Sequence, residues 1–141
     1  MQKPIDFSTE FGQRVAERLK SEETIWMTTI GPENTPHPRP VWFLWDGSSF
    51  LIYSLAESFK LAHMSNNPKV SLNFNTDSGE EDVAVFIGEA RLDPGAPSVT
   101  ENATYLEKYE KGIVGLEMTP KEFEDDYSVP LRVTPTKLRG F

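Results

Sequence analysis

Apolar residues recur along this chain at two spacings, and each spacing predicts its own kind of element. Phe7, Phe11, Val15 and Leu19 are four apart, which predicts a helix over 5–20 with one buried stripe, capped by Ser8 or Thr9. Thr24-Ile25-Trp26-Met27-Thr28-Thr29-Ile30 is short and β-branched and predicts the first strand. Gly31-Pro32-Glu33-Asn34 is turn chemistry and leads into a second strand over 36–45, closed by Asp46-Gly47. Ser49 to Ser54 predicts a third, with Phe50 and Ile52 on one face and Leu51 and Tyr53 on the other. Three strands joined by short turns predict a meander.

The second strand organises the rest. Val41, Phe43 and Trp45 point to one face, Trp42 and Leu44 to the opposite one, so both faces need cover. Pro36, Pro38 and Pro40 fall at alternate positions and strip the donors from one edge. Two readings follow: an edge strand guarded against aggregation, or a strand left open at a seam.

Further along, Ser58 is the expected N-cap of a helix that packs Leu61 and Met64 inward and ends at Asn66-Asn67-Pro68. Val70, Leu72 and Phe74 alternate with polar residues and predict a half-buried strand. The stretch 83–91 is apolar on both faces at first and predicts a central one. A helix is predicted over 100–110, reaching Ile113 if Gly112 does not break it. Thr119-Pro120-Lys121-Glu122 is a capping box with proline at the first helical position. A last strand is predicted over 129–138. The expected fold is mainly β with peripheral helices, a six-stranded antiparallel split β-barrel formed as one domain over 1–141.

Composition narrows the function classes. The 11 prolines and 9 glycines suit a turn-rich β protein. With no cysteine, disulfides, thiol catalysis and cysteine-held metals are excluded, and a reducing cytoplasm is the expected compartment. No apolar run approaches the roughly 20 residues of a membrane span, and no signal-peptide pattern opens the chain. A net charge of −8 disfavours nucleic acid and anionic lipid as partners.

Candidate chemistry is sparse. Neither His37 nor His63 has a triad or metal-ligand context. His63 is expected on a helix surface, and His37, between prolines, lies near the open edge. The acidic run Asp77–Asp82 lacks calcium-loop spacing and predicts a solvated turn. Lys60 falls in the first turn of its helix, where the macrodipole disfavours a cation. That placement fits either an anion docked on the helix start or a lysine simply left in water. Arg132, Lys137 and Arg139 follow the last carboxylate of the sequence, Asp126, and predict either an anion site or a solvated tail. With no nucleotide-binding glycine loop, an enzyme of this sequence needs a borrowed cofactor.

The succession Thr24-Ile25-Trp26-Met27-Thr28-Thr29, Pro38-Arg39-Pro40-Val41-Trp42-Phe43, Ser58-Phe59-Lys60-Leu61 and Pro130-Leu131-Arg132-Val133-Thr134-Pro135-Thr136-Lys137 resembles the pyridoxamine 5′-phosphate oxidase-like split-barrel proteins. Within them it is most similar to the branch classed as deazaflavin (F420)-dependent. The resemblance implies a homodimer with cofactor sites between protomers. It places Pro40, Val41 and Trp42 along the cofactor ring, and Ser54, Ser58 and Lys60 at its phosphate. Arg132 and Lys137 would add charge from either protomer, and Phe141 would close the site. The implied activity is hydride transfer from F420 to an unsaturated small organic molecule, with no side chain obliged to be catalytic and no metal. The alternatives are an FMN-dependent oxidoreductase of the same fold and a non-catalytic flavin or haem binder. The basic C-terminal run of true pyridoxamine phosphate oxidases is absent.

Overall fold

In the computed structural model, which describes residues 5–76 and 82–141, most elements begin where the local sequence signals them. Helix α1 (Glu10–Ser21) is capped by Thr9, whose hydroxyl accepts from the Gly12 N–H at 2.9 Å. It starts later than the apolar spacing predicts, because the Asp6 carboxylate accepts from the Ser8 N–H and holds that segment in a turn. Strand β1 (Thr24–Ile30) is followed by a 3-10 turn at Pro32–Asn34 and by β2 (Pro36–Trp42), β3 (Leu44–Trp45) and β4 (Phe50–Ser54). Next come α2 (Phe59–Asn66), β5 (Lys69–Asn73) and β6 (Ala84–Leu92). A second 3-10 turn at Val99–Glu101 leads to α3 (Ala103–Gly115), α4 (Pro120–Asp126) and β7 (Val129–Gly140). The residues Asp77–Glu81 of the acidic run lie outside the described residues.

Among the described residues the sheet has seven strands rather than six, in the order β2-β1-β5-β6-β7-β4-β3, with every pairing antiparallel. The extra strand arises because the stretch 36–45 splits at Phe43. No meander forms: β2 pairs with β1, and β3 pairs with β4. These two halves stand at opposite ends of the sheet yet are one residue apart in sequence. The ends must therefore meet at Phe43, which curls the sheet into a split barrel. At this seam the Phe43 N–H donates to the Tyr109 hydroxyl at 2.8 Å. The Phe43 carbonyl accepts from Lys108 Nζ at 3.0 Å and lies 2.8 Å from the same hydroxyl. Side chains of α3 thus satisfy backbone groups that a neighbouring strand would otherwise take. Burial pulls the Lys108 pKa down to about 8, with Glu23 and Glu22 pushing it part of the way back.

Along β2 the ladder to β1 runs from Ile30↔Pro36 to Thr24↔Trp42 despite three prolines. It does so because the missing donors belong to the outer edge, where no strand follows. Asp46 and Gly47 turn as expected, with Gly47 at φ 100° and the Asp46 carboxylate accepting from the Ser48 and Ser49 N–H groups.

Two apolar clusters result. The barrel interior holds Phe43, Phe50, Phe86, Leu72 and Met27, closed at one end by Val15 and Leu19 of α1. The second lies on the outer face, where Leu51, Tyr53, Tyr105, Tyr109, Ile113 and Phe123 gather, and it takes in Trp42 and Leu44. The cover that this face needs comes from α3 and α4 of the same chain. Helix α3 also runs past the predicted end at Glu110 and straight through Gly112. A Cβ on Gly112 would stand 2.8 Å from the Trp42 ring, so glycine lets the indole lie against the helix. That contact offsets the roughly 1 kcal/mol an interior glycine costs a helix.

Candidate functional site

Where β2 leaves the barrel beside the start of α2, the surface opens into a cleft with two arms. Arg39, Leu55, Ser58 and Lys60 line both arms and form their junction.

One arm, about 520 Å³, is aromatic, with Pro40, Val41, Trp42, Tyr53, Tyr105, Phe123 and Tyr127 in its walls. Its base is a run of stacked rings. Trp42 lies 4.6 Å from Tyr109 at 10° and 5.4 Å from Phe123 at 17°, and Phe123 lies 4.3 Å from Tyr127 at 14°. Tyr53 donates to the Pro97 carbonyl at 2.7 Å and accepts from Asn102 Nδ2 at 3.0 Å, which fixes its ring. Burial raises the pKa of Tyr53, Tyr105 and Tyr109, so these phenols stay neutral at ordinary pH. This arm offers a flat aromatic surface.

The other arm, about 830 Å³, carries the two histidines, His37 and His63, with Thr29 and Phe59 beside them and Glu57, Asp125 and Asp126 also in its walls. At the junction Ser58 caps α2, accepting from the Lys60 N–H at 3.4 Å and from Lys60 Nζ at 2.8 Å. Burial first, and the charge of Arg39 second, hold the Lys60 pKa below its ordinary value. Among the described residues neither Lys60 nor Arg39 pairs with a carboxylate. Two cations lie side by side, one of them partly desolvated, at the first turn of a helix. An anion arriving there relieves their repulsion and meets the Ser58 hydroxyl at the start of the helix.

The residues expected from sequence are distributed unequally. Pro40, Val41, Trp42, Ser58 and Lys60 come together at the cleft. Ser54 is 1% exposed and donates to the Leu55 carbonyl at 3.0 Å, so its hydroxyl is turned away from both arms. Arg132 lies elsewhere on β7, with Nε on Asp93 at 2.7 Å and Nη1 on Asp46 at 3.2 Å. The sequence leaves Arg132 either in an anion site or in a solvated tail, and the fold instead pairs it with carboxylates from 39 and 86 residues away. Lys137 borders a groove with Ile5, Asp6 and Phe11. Phe141 is exposed, held only through its backbone to Val83. Within one chain Arg132, Lys137 and Phe141 do not reach the cleft.

The sequence reading gave no role to Arg39, and it placed His63 on the helix surface. A signal for Arg39 existed: Val41 points inward, so Arg39 and His37, two and four residues earlier, share that face as it emerges from the core. His63 is half-buried because Thr29 Oγ1 lies 2.9 Å from its Nδ1.

The architecture and the sequence have relatives. The structure superposes with a TM-score of 0.64 on a putative pyridoxamine 5′-phosphate oxidase from Listeria innocua, at 21% identity over 90% of this chain and 94% of that one. An F420 reductase superposes at 0.67, with 20% identity over 87% and 94%. The heme storage protein HutZ from Vibrio cholerae gives 0.63, with 11% identity over 94% and 95%. At these identities the likenesses speak for the fold. No curated protein matches the sequence significantly. The family profile described as pyridoxamine 5′-phosphate oxidase, however, aligns with residues 11–140, from α1 to the end of β7, and so spans both arms of the cleft. Its extent decides the kinship: this chain belongs to the pyridoxamine 5′-phosphate oxidase family.

Proposed function

We propose that the protein is an oxidoreductase that uses bound F420 to reduce an unsaturated small organic molecule. The observation that carries this reading is the junction of the cleft, where a flat aromatic arm meets Lys60, Ser58 and Arg39. A planar ring with an anionic tail fits those two environments together. An F420 reductase among the structural relatives supports the choice of deazaflavin, with FMN the alternative.

When bound, the deazaflavin supplies the hydride. The chain's own residues do the rest. Pro40, Val41 and Trp42 line the ring's path and keep water from one face of it, while Ser58 and Lys60 hold the phosphate and Arg39 adds charge beside them. With Tyr53 and Tyr105 held neutral by burial, the aromatic arm serves to position the reactants.

Titrating the purified protein with F420 and FMN in parallel tests the reading, with F420 expected to bind tighter. In Lys60→Ala, F420 affinity is expected to fall tenfold or more, about 1.4 kcal/mol. The loss shrinks in high salt, which already screens the wild-type contact, while the unfolding free energy barely changes. An alanine variant that binds as tightly as wild type would remove Lys60 from the phosphate site. Tight binding of either cofactor or of haem, with no turnover of any acceptor, would favour a carrier.

The proposed assembly is a homodimer, supported by the open, proline-bearing edge of β2. Phe59, 77% exposed, and Leu55, 43% exposed, stand beside the cleft and offer a second subunit apolar surface. Arg132, Lys137 and Phe141 can join a site only from such a subunit, and Lys137 is the better candidate because Arg132 already holds two carboxylates. A stable interface needs about 800 Å² per protomer. Light scattering is expected to give twice the mass of one chain at micromolar concentration, and a stable monomer there would end the proposal.

A further inference from the structure

The chain has two histidines, and the fold brings them ring to ring. His37 on β2 and His63 on α2 have centroids 4.6 Å apart at an interplanar angle of 42°. His63 is fixed through Nδ1, 2.9 Å from the hydroxyl of Thr29, which is 2% exposed. Its Nε2 is therefore the nitrogen left for other work. A Cβ added to Gly31 would stand 2.6 Å from His37 Nε2 and 3.0 Å from His63 Nε2. The two Nε2 atoms thus converge over Gly31. The backbone there is ordinary, with φ −92°, so glycine is needed for the space and not for the conformation. Both rings line the larger arm of the cleft with Arg39 and Lys60.

We propose that His37 and His63, with Arg39, form a second anion subsite that fills as the imidazoles take up protons. The cleft then takes a ligand with two anionic groups, one held by Lys60 and Ser58 and the other by the histidine pair. This does not depend on whether a flavin-type ring enters the aromatic arm.

The charges facing the pair explain both its sign and its pH dependence. Arg39 lies on the same face of β2 as His37, and Lys60 lies one helical turn before His63. Glu57, Asp125 and Asp126 also line this arm, yet no carboxylate comes within 4.0 Å of either ring among the described residues. Two adjacent imidazoliums repel one another. Burial first, and His37 second, hold the His63 pKa below its ordinary value. A bound anion reverses this by favouring the charged rings, so it binds more tightly as pH falls. Among the described residues no third histidine or carboxylate joins the pair as a metal ligand.

The test uses propane-1,3-disulfonate, whose two charges do not titrate, with NMR of the imidazole nitrogens as readout. Saturating disulfonate is expected to raise the pKa of both histidines. Its affinity should be at least about fivefold higher near pH 5 than near pH 8. Methanesulfonate, with one charge, is expected to bind more weakly and to leave the rings largely unmoved. His37→Gln and His63→Gln should each flatten the pH dependence, and Gly31→Ala should weaken it by parting the Nε2 atoms. Ring signals indifferent to disulfonate, or equal affinity at both pH values, would overturn the proposal. So would a response to zinc ions without one to disulfonate. Failure of F420 and FMN to bind, with the disulfonate response intact, would overturn the redox reading alone.

Discussion

Trp42→Ala is expected to lower the unfolding free energy by about 3 kcal/mol, and also to weaken cofactor binding. The indole stacks on Tyr109 and Phe123 and fills the space that Gly112 leaves open in α3. Removing it leaves a void between the outer face of β2 and two helices that the barrel holds in place. Because one side of the ring borders the cleft, the cost sits at the lower end of the usual range for losing a large aromatic. In a chain of 141 residues this is a fall in melting temperature of roughly 10 °C. Trp42→Phe should recover much of the stability by keeping a stacked ring. Urea unfolding of the cofactor-free protein measures the first effect, and titration with F420 or FMN the second. From the sequence, the resemblance places Trp42 along the cofactor ring and gives it no part in the core. The structure changes that expectation, since the ring is at once a wall of the cleft and a part of the second core. An unchanged unfolding free energy in the alanine variant would show that the helices do not rest on this ring.

Tyr109→Phe removes one oxygen and is expected to cost about 1–3 kcal/mol. That hydroxyl accepts from the Phe43 N–H at 2.8 Å and donates to the Glu23 carbonyl at 2.6 Å. Without it the buried Phe43 amide hydrogen loses its partner, at about 1–3 kcal/mol, while the carbonyl of the exposed Glu23 can turn to water. The Phe43 carbonyl keeps Lys108 Nζ, so the seam loosens without coming apart. Hydrogen exchange should speed up at the Phe43 amide more than at the amides of β5 and β6 in the middle of the sheet. A loss below about half a kilocalorie would mean that water replaces the phenol and that the seam is not sealed by α3.

Elements announced by local chemistry were legible before any tertiary information. The first strand lies at 24–30 as its β-branched run predicts. Ser58 caps α2, and Thr119 with Glu122 closes a full capping box. Gly47 takes the left-handed conformation that an Asp-Gly turn requires. In each case the determining contacts lie within four residues, so the sequence window contains the whole interaction. The alternation along 36–45 likewise decided which side chains enter the barrel, because a strand's period is fixed by backbone geometry.

The break at Phe43 was beyond such reasoning. It depends on Tyr109 and Lys108, 66 and 65 residues away, which offer that residue's backbone better partners than a neighbouring strand does. For the same reason Arg132 read as a free cation. Its carboxylates, Asp93 and Asp46, flank it only once β7 lies beside β4 and β6. The histidine pair joins a strand to a helix 26 residues later, and nothing in either segment marks the other. From its sequence alone the chain determines periodicity, caps and turns, which are energies of neighbours along the backbone. Which cations stay unpaired, which aromatic faces are covered, and which two rings meet over Gly31 are decided by closure of the sheet, because charge pairing and burial act through space between segments that only the fold brings together.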